Sequence, residues 1–292
     1  MARFRQFLAI DWSGAAGERH SGIALAIADA GGGAPVLIER GNKWSRAEVQ
    51  AVLADLPADT LVGMDLGISL PFADCGAFFP GHPSSPPDAK ALWAMIDRLC
   101  ESDPHLAAGS FTDHPDLARF FRRQGGREGE AFRCDGAEHG RGRFRVTELR
   151  QAEMGLKPYS NFNLVGAAQV GKSSLTGMRM LHGLNGALPV WPIDPLPPSG
   201  SVVCEIYTSL AAIEAGRSAS RSKIRDRAEL DDALGALGSA RIGGTGEIDD
   251  HSSDAIITAA WLRRVADEPA RWNPDGLTRQ IAQTEGWTFG VT

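Results

Sequence analysis

Short apolar segments in the N-terminal part of the chain predict four strands. Residues 7–10 and 22–28 form a predicted hairpin, because a segment containing Gly and Ser separates them. Residues 35–39 extend this antiparallel pair after a glycine-rich turn. Residues 61–64 follow a helical segment, and a strand reached through a helical crossover is normally parallel to its neighbour. The pattern therefore predicts a mixed sheet in which antiparallel strands come first.

Apolar residues recur with helical spacing elsewhere. Ser45 and Glu48 have the spacing of a capping box, which predicts a helix that begins after Ser45. A second helix is predicted after the prolines at 86–87, and the last clear helix begins near residues 252–253. A buried strand at 202–207 precedes that last helix. Strands and helices therefore alternate in the manner of an α/β protein.

Residues 104–200 show a weaker pattern and are rich in Gly, Pro and Arg, which predicts a long irregular insertion. The chain has 292 residues, of which 43% are hydrophobic and 23% charged, so it can bury a sizeable core. We therefore expect one domain over residues 1–292. The formal net charge of −6 means that any contact with nucleic acid must come from a local basic patch.

The four cysteines are far apart and form no CxxC pair, so we expect reduced thiols rather than a zinc ribbon or a disulfide framework. They are Cys75, Cys100, Cys134 and Cys204. No uncharged run approaches the roughly 20 residues of a membrane helix. The first residues also lack the apolar stretch of a secretory signal. These features predict a cytoplasmic protein without a membrane partner.

Three of the predicted strands carry an acidic residue at or near their ends, namely Asp11, Asp65 and Glu205. Hydrophobic strands do not need acids there, and the strand ends of an α/β sheet converge on the edge where ligands bind. A further polar group opens the last helix. It consists of Asp249, Asp250, His251 and Asp254. Their spacing places two candidate ligands on one helix face.

Converging carboxylates repel one another, by about 4 kcal/mol for a pair about 4 Å apart at an effective dielectric constant of about 20. A bound cation removes this conflict, and oxygen ligands suit Mg²⁺ or Mn²⁺. The predicted metal ligands are Asp11, Asp65, Glu205 and Asp254, assisted by Asp250 or His251. Each acid also has a structural alternative, because aspartates commonly cap turns or lie at the positive end of a helix.

Four short motifs lie at the predicted strand ends and at the last helix: FLAID at 7–11, VGMDLGISLP at 62–71, CEIY at 204–207 and DHSSDA at 250–255. Together they resemble an uncharacterised family of predicted RNase H-like nucleases. The order of the acids is also similar to that of RuvC-type junction resolvases. The resemblance implies a metal site formed by Asp11, by Asp65 or Glu205, and by His251 and Asp254. Because His251 stands where the family usually has an acid, the number of metals stays open.

The combined prediction is an RNase H-like α/β fold, with three antiparallel strands, then parallel strands, helices on both faces and an insertion at about 104–200. The leading functional hypothesis is metal-dependent hydrolysis of phosphodiester bonds in DNA or RNA. Sugar and acetate kinases also build nucleotide sites from this fold, so a phosphotransferase stays open. A non-catalytic module that binds nucleic acid or a nucleotide is the third hypothesis.

Residues 166–173 match the GxxxxGKS pattern of a phosphate-binding loop. In such a loop Lys172 would reach the terminal phosphates and Ser173 would bind Mg²⁺. The strand predicted before this segment is weak, and Gly177 and Gly183 are unfavourable in the helix that should follow it. An NTPase is therefore the less favoured interpretation, and Lys172 could instead hold a substrate phosphate.

Two basic stretches are candidates for contact with nucleic acid, because arginines neutralise phosphates and aromatic rings stack on bases. The first contains Arg119, Arg122, Arg123, Arg127, Arg133, Arg141, Arg143 and Arg145, interleaved with Phe120, Phe121, Phe132 and Phe144. The second contains Arg217, Arg221, Lys223, Arg225 and Arg227. Either stretch can equally be an ordinary solvated surface.

Overall fold

The computed structural model describes residues 3–134, 140–166, 169–218 and 222–292. Its strands are β1 (Gln6–Asp11), β2 (Arg19–His20), β3 (Ala24–Asp29), β4 (Val36–Leu37), β5 (Trp44–Ser45), β6 (Thr60–Asp65), β7 (Val190–Trp191) and β8 (Val202–Glu205). Six of them form one sheet in the order β4-β3-β1-β6-β8-β7, and β2 pairs with β5. β4, β3 and β1 are antiparallel, whereas β1, β6, β8 and β7 are parallel. The predicted mixed sheet is therefore confirmed.

Ten α-helices are described. They are α1 (Arg46–Ala54), α2 (Ala89–Leu99), α3 (Gly109–Asp113), α4 (Val146–Glu153), α5 (Val170–Gly183), α6 (Thr208–Glu214), α7 (Arg227–Ala236), α8 (Asp250–Val265), α9 (Pro269–Trp272) and α10 (Arg279–Thr284). The predicted capping box begins α1, since the Ser45 hydroxyl accepts the amide of Glu48 and the Glu48 carboxylate accepts the amide of Ser45. Among the described residues, none of these helices has the length and apolar character needed to cross a bilayer.

Side chains alternate between the two faces of the sheet, so each central strand contributes to two apolar layers. In β1, Leu8 and Ile10 pack with residues of α1, α2 and α5, whereas Phe7 and Ala9 pack with residues of α6, α7 and α8. α8 lies directly against β1 and β3. Helices cover both faces, as predicted, and the arrangement is consistent with an RNase H-like layout.

The predicted insertion is more regular than its sequence indicates. α5 packs against α2, and β7 pairs with β8 at the edge of the sheet. Gly177 does not interrupt α5, because it lies where the helix meets Leu66. A Cβ atom on Gly177 would come within 2.5 Å of Leu66 Cδ2, so the glycine allows close packing. The region with irregular backbone is therefore confined to the chain before α5 and to its connection with β8.

Two of the four cysteines are bonded to each other. Cys75 and Cys134 form a disulfide across a sequence separation of 59 residues, which corrects the expectation of reduced thiols at these two positions. Their spacing gave no signal, because it is tertiary folding that brings the two segments together. Cys100 and Cys204 are free and buried, as expected for structural thiols.

Candidate functional site

Three carboxylates meet at the carboxyl edge of the sheet, on the face that α8 covers. Asp11 ends β1 and Asp65 ends β6, and the parallel register pairs these two residues. Residues paired in neighbouring strands point to the same face, and Asp11 alternates with Ile10, so both carboxylates face α8. Asp254 is near the start of α8 and is only 5% exposed. Two strands and one helix thus assemble an acidic cluster from distant positions.

A histidine and a lysine complete this cluster. Nδ1 of His251 lies 2.8 Å from Oδ2 of Asp11, and this hydrogen bond raises the pKa of His251. Nζ of Lys223 donates to Oδ2 of Asp254 at 2.5 Å. Partial burial disfavours the charged form of Lys223, but the attraction of Asp254 outweighs it and raises the pKa of the lysine. Lys223 therefore pairs with Asp254, and His251 pairs with Asp11.

Asp65 is the least compensated of the three acids. Its side chain is half-buried, and its Oδ2 accepts a long hydrogen bond of 3.4 Å from the Thr208 hydroxyl. Burial, followed by the charges of Asp11 and Asp254, raises the pKa of Asp65 well above its usual value. Burial likewise raises the pKa of Asp254 to about 6, despite the attraction of Lys223. The surroundings of Asp65 and Asp254 therefore disfavour the charged forms of both carboxyl groups.

The remaining acids of the last helix have structural partners. Asp249 caps α8, and its Oδ1 accepts the amide of Ser252 at 2.9 Å. Asp250 accepts two hydrogen bonds from the guanidinium of Arg225, at 2.6 and 2.8 Å, and this pairing lowers the pKa of Asp250. Asp250 is thus engaged by an exposed arginine, while Asp254, one turn later, faces the cluster.

Glu205 does not join the acidic cluster, which corrects its placement among the predicted metal ligands. Its register partner in β6 is Met64, so its side chain points to the opposite face from Asp65. There its two oxygens accept Arg145 Nη1 at 2.7 Å and Nη2 at 2.5 Å. They also accept the amide of Ile68 at 2.9 Å and the hydroxyl of Thr288 at 2.5 Å. These contacts account for a carboxylate inside an apolar strand.

Arg145 is the centre of a second, buried ionic network. Its side chain is 1% exposed and pairs with both Glu148 and Glu205. The same guanidinium donates to the carbonyl of Glu285 at 3.0 Å. One arginine thus faces two carboxylates, and burial raises the pKa of Glu148 to about 7. The network joins α4, β8 and the C-terminal segment, and its role is to fix these elements.

The test of whether the acidic cluster fits a divalent cation gives a divided answer. Asp11, Asp65 and Asp254 offer the hard oxygen ligands that Mg²⁺ or Mn²⁺ prefers. Within the described part of the chain, however, only Asp74, Cys75 and Cys134 bring three such ligand atoms within 4.8 Å of one another, and both sulfurs are bonded. The cluster therefore fits a cation in donor type, but its three carboxylates do not all lie within 4.8 Å of one another.

The segment that matches a phosphate loop has a different structure in its described part. Residues 167–168 lie outside the described residues. After them, the amide of Gly171 donates to the carbonyl of Asn163, and the amide of Lys172 donates to the carbonyl of Gln169, both at 3.0 Å. The Ser173 hydroxyl donates to the carbonyl of Val170 at 2.9 Å. The chain before α5 is no strand of the sheet in the described structure. These amides and this hydroxyl are engaged within the protein, which disfavours a phosphate loop.

The first basic stretch does not interleave cations with accessible rings. All four of its phenylalanines are at most 4% exposed, so they cannot stack on bases. Several of its arginines form contacts within the protein: Arg119 with Glu130, Arg123 with Asp113, Arg133 with Glu128, and Arg143 with Asp74. The phenylalanines of this stretch are therefore part of the core, and the hypothesis that it grips nucleic acid is wrong for these aromatic residues.

The second basic stretch supplies the cations of the acidic site, which sequence reasoning missed. Lys223 and Arg225 pair with Asp254 and Asp250 of α8, and Arg217 pairs with Glu229. Arg221 lies outside the described residues. The signal in the sequence was the spacing of the charges. Lys223 and Arg225 are two positions apart, and their partners Asp254 and Asp250 are one helical turn apart on α8.

Comparisons with protein-family models, with curated proteins and with solved structures find no match to this chain. The resemblance of the four short motifs to predicted nucleases therefore stays a prediction.

Proposed function

We propose that this protein is a metal-dependent hydrolase of nucleic-acid phosphodiester bonds, with its site at Asp11, Asp65 and Asp254. The observation that carries the proposal is the convergence of three acids at the edge of the sheet, where burial, followed by the charges of Asp11 and Asp254, raises the pKa of Asp65. A fold that only needed stability would not converge three acids on one place without enough cations. A divalent cation relieves this repulsion.

In this proposal the three carboxylates hold Mg²⁺ or Mn²⁺. Such a cation supplies Lewis-acid stabilisation of the negative charge that develops on a phosphodiester during hydrolysis. His251 orients Asp11 through the 2.8 Å hydrogen bond from Nδ1. Lys223, whose side chain is 54% exposed, moves from Asp254 toward the phosphate, where its ammonium neutralises a non-bridging oxygen.

Cleavage of labelled single-stranded DNA and RNA with Mg²⁺ or Mn²⁺ tests this function. We expect Asp11→Asn, Asp65→Asn and Asp254→Asn each to lower the rate by about 100-fold or more, because several kcal/mol of charge stabilisation are lost. Asp232→Asn is the matched control, since this aspartate is on α7 and its side chain is 79% exposed. Calorimetric titration with Mn²⁺ should show binding that Asp65→Asn removes.

Three results would contradict the proposal. One is cleavage that persists in all three variants, because it would point to a contaminating nuclease. Another is the absence of Mn²⁺ binding to the folded wild-type protein. The third is ATP hydrolysis that Lys172→Ala abolishes, since it would assign the activity to the segment at 166–173.

A further inference from the structure

A cavity of about 190 Å³ opens directly beside the acidic cluster, and Asp65 forms part of its wall. The loops that follow β1, β6 and β8 surround it, together with α4 and the chain at 157–161. For comparison, a cavity of about 150 Å³ holds a benzene molecule. The cavity therefore has room for one heteroaromatic ring system but not for a base pair.

Three aromatic side chains line this cavity. The chain has only two tyrosines, and both Tyr159 and Tyr207 line this cavity. Tyr159 is 42% exposed, and the guanidinium of Arg141 lies 5.3 Å from its ring centre, which supports the ring from one side. Trp12 forms a deeper wall, and its indole Nε1 is fixed by a 3.1 Å hydrogen bond to the Thr176 hydroxyl. The exposed ring of Tyr159 beside the cavity offers a planar ligand a surface for stacking.

Polar groups of both signs complete the lining. Gln151 and Asn161, whose amide nitrogens donate to the Thr288 hydroxyl and the Ser69 carbonyl, contribute amide groups to the wall, and the exposed Lys157 offers an ammonium group. Glu148 and Glu205 also line the cavity, but both carboxylates are paired with Arg145. A hydrocarbon would not require these amide and ammonium groups. A nucleobase has a flat ring and an edge that both donates and accepts hydrogen bonds, so it matches this combination.

We propose that this cavity binds one unstacked nucleobase, so that the substrate is a single-stranded or unpaired nucleotide rather than intact duplex. The proposal rests on the proposed function, because a base held beside Asp65 brings its own phosphodiester to the acidic cluster. Bases within a duplex are stacked and paired, and their extrusion costs energy. Lys157 at the edge of the cavity contacts a phosphate of the same nucleotide.

Binding of adenosine 5′-monophosphate to the full chain in EDTA tests the cavity without any requirement for catalysis. By calorimetry we expect ribose 5-phosphate, which lacks the base, to bind at least about 5-fold more weakly. Tyr159→Ala should weaken binding of the nucleotide by about 5- to 100-fold, the range for loss of one stacking contact. Tyr159→Phe keeps the ring and should bind within about 3-fold of the wild-type protein.

Met154→Ala is the matched control. Met154 follows the last residue of α4 and is 43% exposed, like Tyr159, but it does not line the cavity. Equal binding of the nucleotide and the sugar phosphate would overturn the inference, as would unchanged binding by folded Tyr159→Ala. Cleavage of perfect duplex as fast as of single strands would overturn it too. Nucleotide binding that depends on Tyr159, without cleavage under any metal condition, would support the cavity and contradict only the proposed hydrolase.

Discussion

Replacing Asp254 by asparagine should stabilise the protein when no divalent metal is present. The folded structure raises the pKa of Asp254 from 3.8 to about 6. Each pKa unit corresponds to about 1.4 kcal/mol, so ionising this carboxyl group in the folded state costs about 3 kcal/mol. That pKa already includes the attraction of Lys223. Asparagine has the same shape without the charge, and we expect a gain of about 1 to 3 kcal/mol at pH 7.5.

The stabilisation by Asp254→Asn should depend on pH. Because the pKa is raised on folding, the cost is absent below about pH 4, grows between about pH 4 and 6, and is complete above that range. Urea unfolding in EDTA should therefore show the stabilisation of Asp254→Asn at pH 7.5 but not at pH 4. With saturating Mn²⁺ the difference should shrink or reverse, because the metal stabilises only the protein that binds it.

Asp250→Asn is the control one turn earlier on the same helix. The pKa of Asp250 is lowered by Arg225, so the charged form contributes stability above its unfolded pKa. Its loss should destabilise the protein by at most about 1 kcal/mol, since the pair is at the surface. The two substitutions make the same chemical change, but their effects on the free energy of unfolding should have opposite signs. If Asp254→Asn destabilises the protein at pH 7.5 in EDTA, the inference that the folded structure disfavours the charged form of Asp254 is refuted.

Three further predictions concern the fold, each measured by urea unfolding. Arg145→Ala should lower the free energy of unfolding by about 3 to 5 kcal/mol, because it leaves buried carboxylates without their partner. Arg150→Ala removes an exposed ion pair and should lower it by less than about 1 kcal/mol. Similar losses in the two variants would refute this prediction. Gly177→Ala should cost about 1 to 3 kcal/mol through collision with Leu66, and a neutral effect would contradict the close contact. Since burial raises the pKa of Glu148 to about 7, its contribution to stability should fall as pH rises from about 4.5 to 7, and Glu148→Gln should reduce that dependence.

The sequence by itself determined the elements whose signals are local. Short apolar runs predicted β1, β3, β6 and β8. The capping box predicted α1, and its two residues are only three positions apart in the chain. Asp11 and Asp65 end adjacent parallel strands, so their convergence also followed from pattern and topology. Periodicity and capping depend on residues a few positions apart, which is why they can be read without the fold.

Tertiary structure decided the outcome wherever a partner is distant in the chain. Glu205 carries the same signal as Asp65, yet the register of β8 turns it to the other face, where Arg145 pairs with it from 60 positions away. Lys223 looked like part of a solvated basic stretch until folding placed it against Asp254. Whether a charge serves chemistry or stability depends on the face its backbone register selects and on the charges that folding brings to it. Neither is encoded in its immediate neighbours.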